Sequence, residues 1–293
     1  MRFTKPKLAC AAFHVGAHKT GTSLLQKYLR DNPSMLSHLG IDYLGRGDTN
    51  GFVGWGDKLI EDPGALTERI RRGAAERSIR YFVSSHENTL GHPFGTENSP
   101  RRSGLYPAAA PRIDALERAL RPFPRKILFY LRSQEGFLES YYLQRIQQGE
   151  SLTFREWLAD VDLDEVSWAP VVDELRDAFG ADNVVVGDFA EIEQGQADYI
   201  RRFLRRIDPS LDHEVQYEAR RNRSISAKGL AIALAANPHL TTASERKLMR
   251  KFLQRNFSNA RYPRPELFTP TEQAEVRARY EAENLTLVST DTA

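Results

Sequence analysis

Lys19, Thr20, Gly21, Thr22 and Ser23 set a cation, three hydroxyls and a glycine in five consecutive positions of the stretch FHVGAHKTGTSLLQKYLRDNP, residues 13–33. An apolar run precedes them, and a helical stripe of Leu24, Leu25, Tyr28 and Leu29 follows. A strand that turns through glycine into a helix presents free backbone N–H groups at the positive end of the helix dipole, which suits an anion the size of a phosphate. The amides from Thr20 to Ser23 are the candidates here, with hydroxyls added by Thr22 and Ser23 and, in some rotamers, by Thr20. The bland alternative is a tight turn and nothing more. Gly16 and Gly21 satisfy the first half of the ATP-binding pattern G-x-x-x-x-G-K-[ST], but Thr22 stands where that pattern has lysine. Lys19 comes three residues earlier, on the loop, where it reaches the outer side of a bound phosphate and the atom bridging it to a leaving partner.

Two further groupings carry chemistry. In KILFYLRSQEGFLESYYLQRIQQG, Arg132 ends an apolar run and Ser140 follows eight positions later inside a helical pattern. A guanidinium fork with a hydroxyl suits a phosphate dianion, although an arginine after a strand is usually a surface residue. In YFVSSHENTLG, His86 and Glu87 stand side by side after another apolar run. Neutral histidine has a pKa suited to taking a proton near pH 7, and Glu87 is its substitute or its orienting partner. A loop histidine beside a capping glutamate is the ordinary explanation. Of the other histidines, His18 is close enough to the loop to matter and His92 could meet a second substrate. Asp188, after three valines, imitates a magnesium-holding aspartate, but the matching lysine–serine pair is missing. Arg201, Arg202, Arg205 and Arg206 read as a solvated helix face. The cluster ARRNRS (219–224) offers further cations.

The elements that must position these groups follow from periodicity. LACAAFHV (8–15), IRYFVS (79–84), KILFYL (126–131) and NVVVGD (183–188) are short, branched, uninterrupted apolar runs, as expected of strands buried on both faces of a parallel sheet. Helical patterns lie between them: one ending at Asn32-Pro33, one over 64–78, one closed by Gly149, and one over 171–179. Beyond residue 188 helices are expected over 196–207, 226–236, 243–254 and 271–283. The fold class is therefore α/β, a parallel sheet flanked by helices with a mostly helical C-terminal part. With no repeat and no low-complexity linker, residues 1–293 read as a single domain. Segments 40–58 and 88–107 are dense in Gly, Pro, Asn and Asp and should be loops over the mouth of the sheet.

Composition narrows the partners. Lys+Arg number 41 against 39 Asp+Glu, a balance that argues against a general nucleic-acid binder. One cysteine, Cys10, leaves no disulfide framework and no cysteine-clustered zinc site, and a reducing cytoplasm is expected. The N-terminal MRFTKPKLACAAFHVGAH imitates a signal peptide, but its apolar run is short and interrupted by His14, so a buried strand is expected; Lys7 defeats a lipoprotein signal. No run of eighteen apolar residues suggests a membrane span.

The loop HVGAHKTGTSLLQ resembles the 5′-phosphosulfate-binding loop of sulfotransferases that use 3′-phosphoadenosine 5′-phosphosulfate (PAPS), whose K-[ST]-G-T-[TS] is matched by Lys19, Thr20, Gly21, Thr22 and Ser23. Arg132 and Ser140, with seven residues between them and Tyr141 and Tyr142 following, are similar to the family's 3′-phosphate motif. The resemblance implies a P-loop nucleoside-triphosphate-hydrolase-like fold and transfer of a sulfuryl group from PAPS to a hydroxyl or amine, without metal. It implies Lys19 at the bridging oxygen, Thr20–Ser23 on the 5′-phosphate, Arg132 and Ser140 on the 3′-phosphate, and His86 or Glu87 as base. It also implies one more basic contact from Arg220, Arg221 or Arg223. The acceptor would be a small molecule or a glycan, and the two Gly-rich segments leave its identity open. The alternatives are a P-loop kinase or nucleotide hydrolase, and a non-catalytic nucleotide-binding protein of the same fold.

Overall fold

Five strands form one sheet: β1 (Cys10–His14), β2 (Ile41–Leu44), β3 (Tyr81–Ser85), β4 (Arg125–Leu131) and β5 (Val184–Asp188). Every pairing is parallel, in the spatial order β2-β3-β1-β4-β5. The structure is a computed structural model that describes residues 8–77, 79–95, 104–218 and 224–289. Helices connect the strands: α1 (Thr22–Asp31) and α2 (Pro33–His38), α3 (Arg46–Phe52), α4 (Asp57–Glu61) and α5 (Pro63–Arg77), α6 (Ala110–Leu120), then α7 (Gln134–Gln147), α8 (Phe154–Ala159) and α9 (Ala169–Phe179). After β5 come α10 (Gln196–Ile207), α11 (Ala227–Ala236), α12 (Ala243–Asn256) and α13 (Pro270–Leu287).

Side chains alternate across a strand, and here the alternation feeds two cores. Ala11, Phe13, Phe82, Ile127, Phe129 and Leu131 enter the larger one, beneath α6, α7 and α9. Ala12, Val83, Leu128 and Tyr130 enter the smaller one, with Leu25 of α1 and Phe203 of α10. The fold class is the one expected, an all-parallel sheet between helices.

Two expectations are corrected. Segment 40–58 is not a loop: it holds β2, α3 and α4. The four-residue strand is bracketed by Gly40 and Gly45 and reads as turn material by composition, yet it pairs along β3 from Ile41 opposite Tyr81 to Leu44 opposite Ser84. Segment 88–107 is irregular where it is described; residues 96–103 of it lie outside the described residues. The helical arginines are also not one solvated face. Arg206 is buried, because it falls on the stripe of Tyr199, Phe203 and Ile207, and it makes a two-pronged ion pair with Glu191 at 2.8 and 2.7 Å and bonds Tyr130 Oη at 3.0 Å.

Gly187 in β5 leaves the space these groups use. A Cβ there would lie 2.6 Å from Tyr130 and 2.8 Å from the Arg206 guanidinium. Gly187→Ala should therefore cost about 1–3 kcal/mol of stability, read as a lower midpoint in chemical denaturation with an unchanged slope.

Candidate active site

The loop after β1 is launched from the sheet and then bent around its own backbone. Val15 and Ala17 N–H still bond the β4 carbonyls of Leu128 and Tyr130 at 3.0 and 3.1 Å. Thr20 Oγ1 then donates to Ala17 O at 2.6 Å, and Tyr199 Oη donates to Thr20 O at 2.9 Å. Thr20 thus closes the loop with its hydroxyl. Lys19 sits at φ 70°, a left-handed conformation that non-glycine residues rarely adopt, and Gly21 at φ 77° packs on Phe189 and Tyr199. Helix α1 opens on Gly21 with no side-chain cap, as do α2, α3, α4, α6, α7, α9 and α10, whereas α8, α12 and α13 each begin with a Thr-x-x-Glu capping box. The Thr22 hydroxyl oxygen is buried with no partner among the described residues, and Ser23 is exposed beside it. A buried, orphaned hydroxyl at an uncapped helix start is what an anion-binding turn would leave when empty of partners. Burial, with Arg132 nearby, lowers the Lys19 pKa to about 8, and Glu87 opposes that shift.

Arg132 comes to the same loop. Its Nη1 donates to Lys19 O at 3.2 Å, its guanidinium lies over the Phe189 ring at 5.1 Å, and Trp168 Nε1 holds its carbonyl at 2.7 Å. The guanidinium crosses the first turn of α7 over Gly136, where a Cβ would be only 3.0 Å from Nε. Residues four apart share a helix face, so Ser140, half-buried, stands on the face of α7 that Arg132 covers. Gly136 escaped the sequence reading; its place four residues before Ser140 is the signal that would have found it. Helix α7, like α1, opens without a side-chain cap, at Ser133. Burial lowers the Arg132 pKa, countered by Glu139, and the charge of Arg264 reaches it as well. A cavity of about 360 Å³ lies alongside, lined by Arg132, Gly136, Phe189, Arg277 and Asn284. Arg220, Arg221 and Arg223 lie outside the described residues.

The third group gathers after β3. The His86 N–H bonds the carbonyl of His14, the last residue of β1, at 2.9 Å. Its ring is buried: Nε2 donates to Asn50 Oδ1 at 3.0 Å, and Nδ1 is buried without a partner among the described residues. Burial lowers the His86 pKa to about 4, against the pull of Glu87. His18 is held as one tautomer, with Tyr106 Oη bonding Nδ1 at 2.8 Å and Asn88 Oδ1 on Nε2 at 3.1 Å; burial brings it too to about 4, as it does His14. Glu87 accepts from Gln26 at 3.2 Å and pairs with Arg46 at 3.8 Å. Burial pushes its pKa up, but its own backbone amide, Arg46, His18 and His86 together bring it below the usual carboxylate range. At neutral pH the crevice therefore holds neutral imidazoles, one carboxylate and a lysine.

Asp188 has a structural use, accepting from Ala190 N–H at 2.8 Å to cap the turn Phe189–Gln194. Among the described residues no group of three or more His, Cys, Asp or Glu side chains is placed to hold a metal ion, and no helix is long and apolar enough to cross a membrane.

No protein-family model matches the chain, and no curated protein matches it. Among solved structures, the chain is similar to the crystal structure of a sulfotransferase from Alicyclobacillus acidocaldarius, with a TM-score of 0.45 and 20% identity over 82% of this chain and 99% of that one.

The three buried histidines fix a pH dependence. In the unfolded chain they bind protons near the ordinary histidine pKa of 6.5, in the fold only near 4. The unfolded state binds more protons between those values, so stability is full above pH 6.5 and is lost as pH falls toward 4, by about 3 kcal/mol per histidine. Calorimetry should show the melting temperature dropping steeply between pH 6.5 and 4; a flat profile would mean that the imidazoles charge within the fold.

Proposed function

We propose that the protein is a PAPS-dependent sulfotransferase, transferring a sulfuryl group to a hydroxyl or amine and releasing adenosine 3′,5′-bisphosphate. The observation that carries this reading is the contact of Arg132 with the Lys19 carbonyl, which brings together, at the ends of neighbouring strands, the two groups proposed as anion cradles. A nucleotide with charge at both its 5′ and 3′ ends needs two such cradles; ATP needs one. The uncapped start of α1 and the Thr22 hydroxyl suit the 5′-phosphate, and Arg132 with Ser140 suits the 3′-phosphate. The cavity beside Arg132 and Phe189 has room for the base.

In the proposed step the acceptor oxygen or nitrogen attacks sulfur in line, and a new bond to sulfur forms as the bond from sulfur to the bridging oxygen breaks. The electron pair stays on that oxygen, where the Lys19 ammonium stabilises the growing charge more in the transition state than before it. The acceptor's proton goes to a base. Glu87 is ionised and its side chain is 16% exposed, whereas His86 is buried with Nε2 engaged by Asn50. Glu87 is therefore assigned the proton, with Gln26 and Arg46 positioning its carboxylate.

Three measurements test this. Adenosine 3′,5′-bisphosphate should raise the melting temperature without magnesium, and Arg132→Ala should abolish the shift; a response to Mg-ATP alone would make the chain a kinase or nucleotide hydrolase. Glu87→Gln should lower kcat by about 10²–10⁴ while bisphosphate affinity is kept, with a smaller loss for His86→Gln; the reverse order would exchange their roles. Because Lys19 loses its proton near pH 8, bisphosphate affinity should fall as pH rises above 8, and Lys19→Met should remove that dependence.

A further inference from the structure

The sheet order puts the Arg132 cradle on the β4–β5 side of the crevice and leaves the β3–β2 side facing α3 and α4. Helix α3 carries Arg46 and Asn50 four residues apart, on one face, and both touch the acid–base pair, Asn50 at His86 and Arg46 at Glu87. Just beyond α3, Trp55 stacks on His92 with centroids 4.0 Å apart and planes 11° from parallel. The indole also lies nearly parallel to His18 at 6.1 Å, next in sequence to Lys19, and is still 39% exposed. Arg112 holds this arrangement: Nε donates to Trp55 O at 2.7 Å and Nη1 to Ala108 O at 2.6 Å. Its side chain crosses Gly56 and Gly91, where a Cβ would come within 2.4 and 3.0 Å of it. A large aromatic ring is thus kept partly bare and fixed in place beside the reactive groups.

We propose that Arg46, Asn50, Trp55 and His92 form the acceptor subsite, and that it takes a saccharide hydroxyl with the apolar face of the sugar ring on the part of Trp55 that His92 leaves bare. The inference rests on the sulfuryl-transfer reading. A small phenol calls for an enclosed apolar slot that buries most of its surface, whereas all four of these side chains are exposed and make an open wall. A sugar ring needs one aromatic surface for its C–H face and a rim of donors and acceptors for its hydroxyls. Arg46 supplies donors, and Asn50 supplies the amide N–H groups of a side chain whose Oδ1 is held by His86. The hydroxyl that reaches past this rim meets Glu87.

The test uses the full chain with labelled PAPS and a panel of methyl glycosides and disaccharides, with 2-naphthol as the aromatic competitor. Saccharides should accept sulfate, Trp55→Ala should raise their KM at least tenfold with the bisphosphate Kd unchanged, and Arg112→Ala, which only positions Trp55, should raise KM less. Trp157 and Trp168 are fully buried and the chain has three tryptophans, so acrylamide quenching reads Trp55, and an accepting saccharide should protect it. Preference for 2-naphthol, no transfer to any saccharide while PAPS binds, or a Trp55→Ala enzyme that sulfates sugars as well as the wild type would overturn the proposal. Failure of the bisphosphate to bind at all would instead remove the sulfuryl-transfer reading.

Discussion

A polyanion can be held inside a protein only where cations and open amides face it and no internal partner has satisfied them first. On the proposed reading, that constraint governs the residues around Lys19. The start of α1 has no side-chain cap, and the buried Thr22 hydroxyl beside it has no partner among the described residues. Lys19 is held in a left-handed conformation, loses proton affinity to burial, and shares its neighbourhood with a second cation, Arg132. Each of these features costs the fold stability. They persist because the surroundings over-determine them: Thr20 and Tyr199 pin the loop backbone, and Trp168 and Phe189 pin Arg132 from two sides.

The sheet order makes the convergence possible. The chain leaves β1 for the far edge, returns to lay β3 beside it, and only then crosses to β4 on the other side. At such a reversal the segments leaving neighbouring strands part to opposite faces and open a crevice at the carboxyl ends. The loops after β1, β3 and β4 meet there, tied by the His86–His14 bond on one side and the Arg132–Lys19 bond on the other. Ala11 and Ala12 in the central strand are fully buried and small, which lets large rings such as Phe13, Phe82, Tyr130 and Trp168 fill the layers around them.

The parts of the fold legible in the sequence are those whose signal is local. Buried strands announce themselves as apolar runs, and α10 follows its stripe from 196 to 207. β2 was illegible because four residues between two glycines carry too little pattern, and its pairing with β3 is a long-range fact. α2 was hidden by Asn32-Pro33, which ends α1 and also starts a new helix with proline in its first turn. Arg206 was misread because an arginine pair says nothing of which member lies on the buried stripe. At the site, Lys19 and Arg132 were legible as types and spacings. Their contact was not, and neither was the aromatic stack of Trp55 on His92, whose members come from segments that composition alone marks as loop.

Glu87 links the charge balance to the proposed chemistry. Its carboxylate is the negative charge that Lys19, His14, His18 and His86 feel, and it partly offsets the fall in the Lys19 pKa. A polyanion bound as proposed would take over that role and keep Lys19 protonated more strongly than one carboxylate can. The same anion repels the negative charge on Glu87, so its pKa rises from a depressed value toward one at which it accepts a proton more readily. The imidazoles follow in the same direction but start near 4 and buried, so they stay neutral for longer and add no competing positive charge. On the proposed reading, donor binding and arming of the base are one electrostatic event, with Glu87 at its centre.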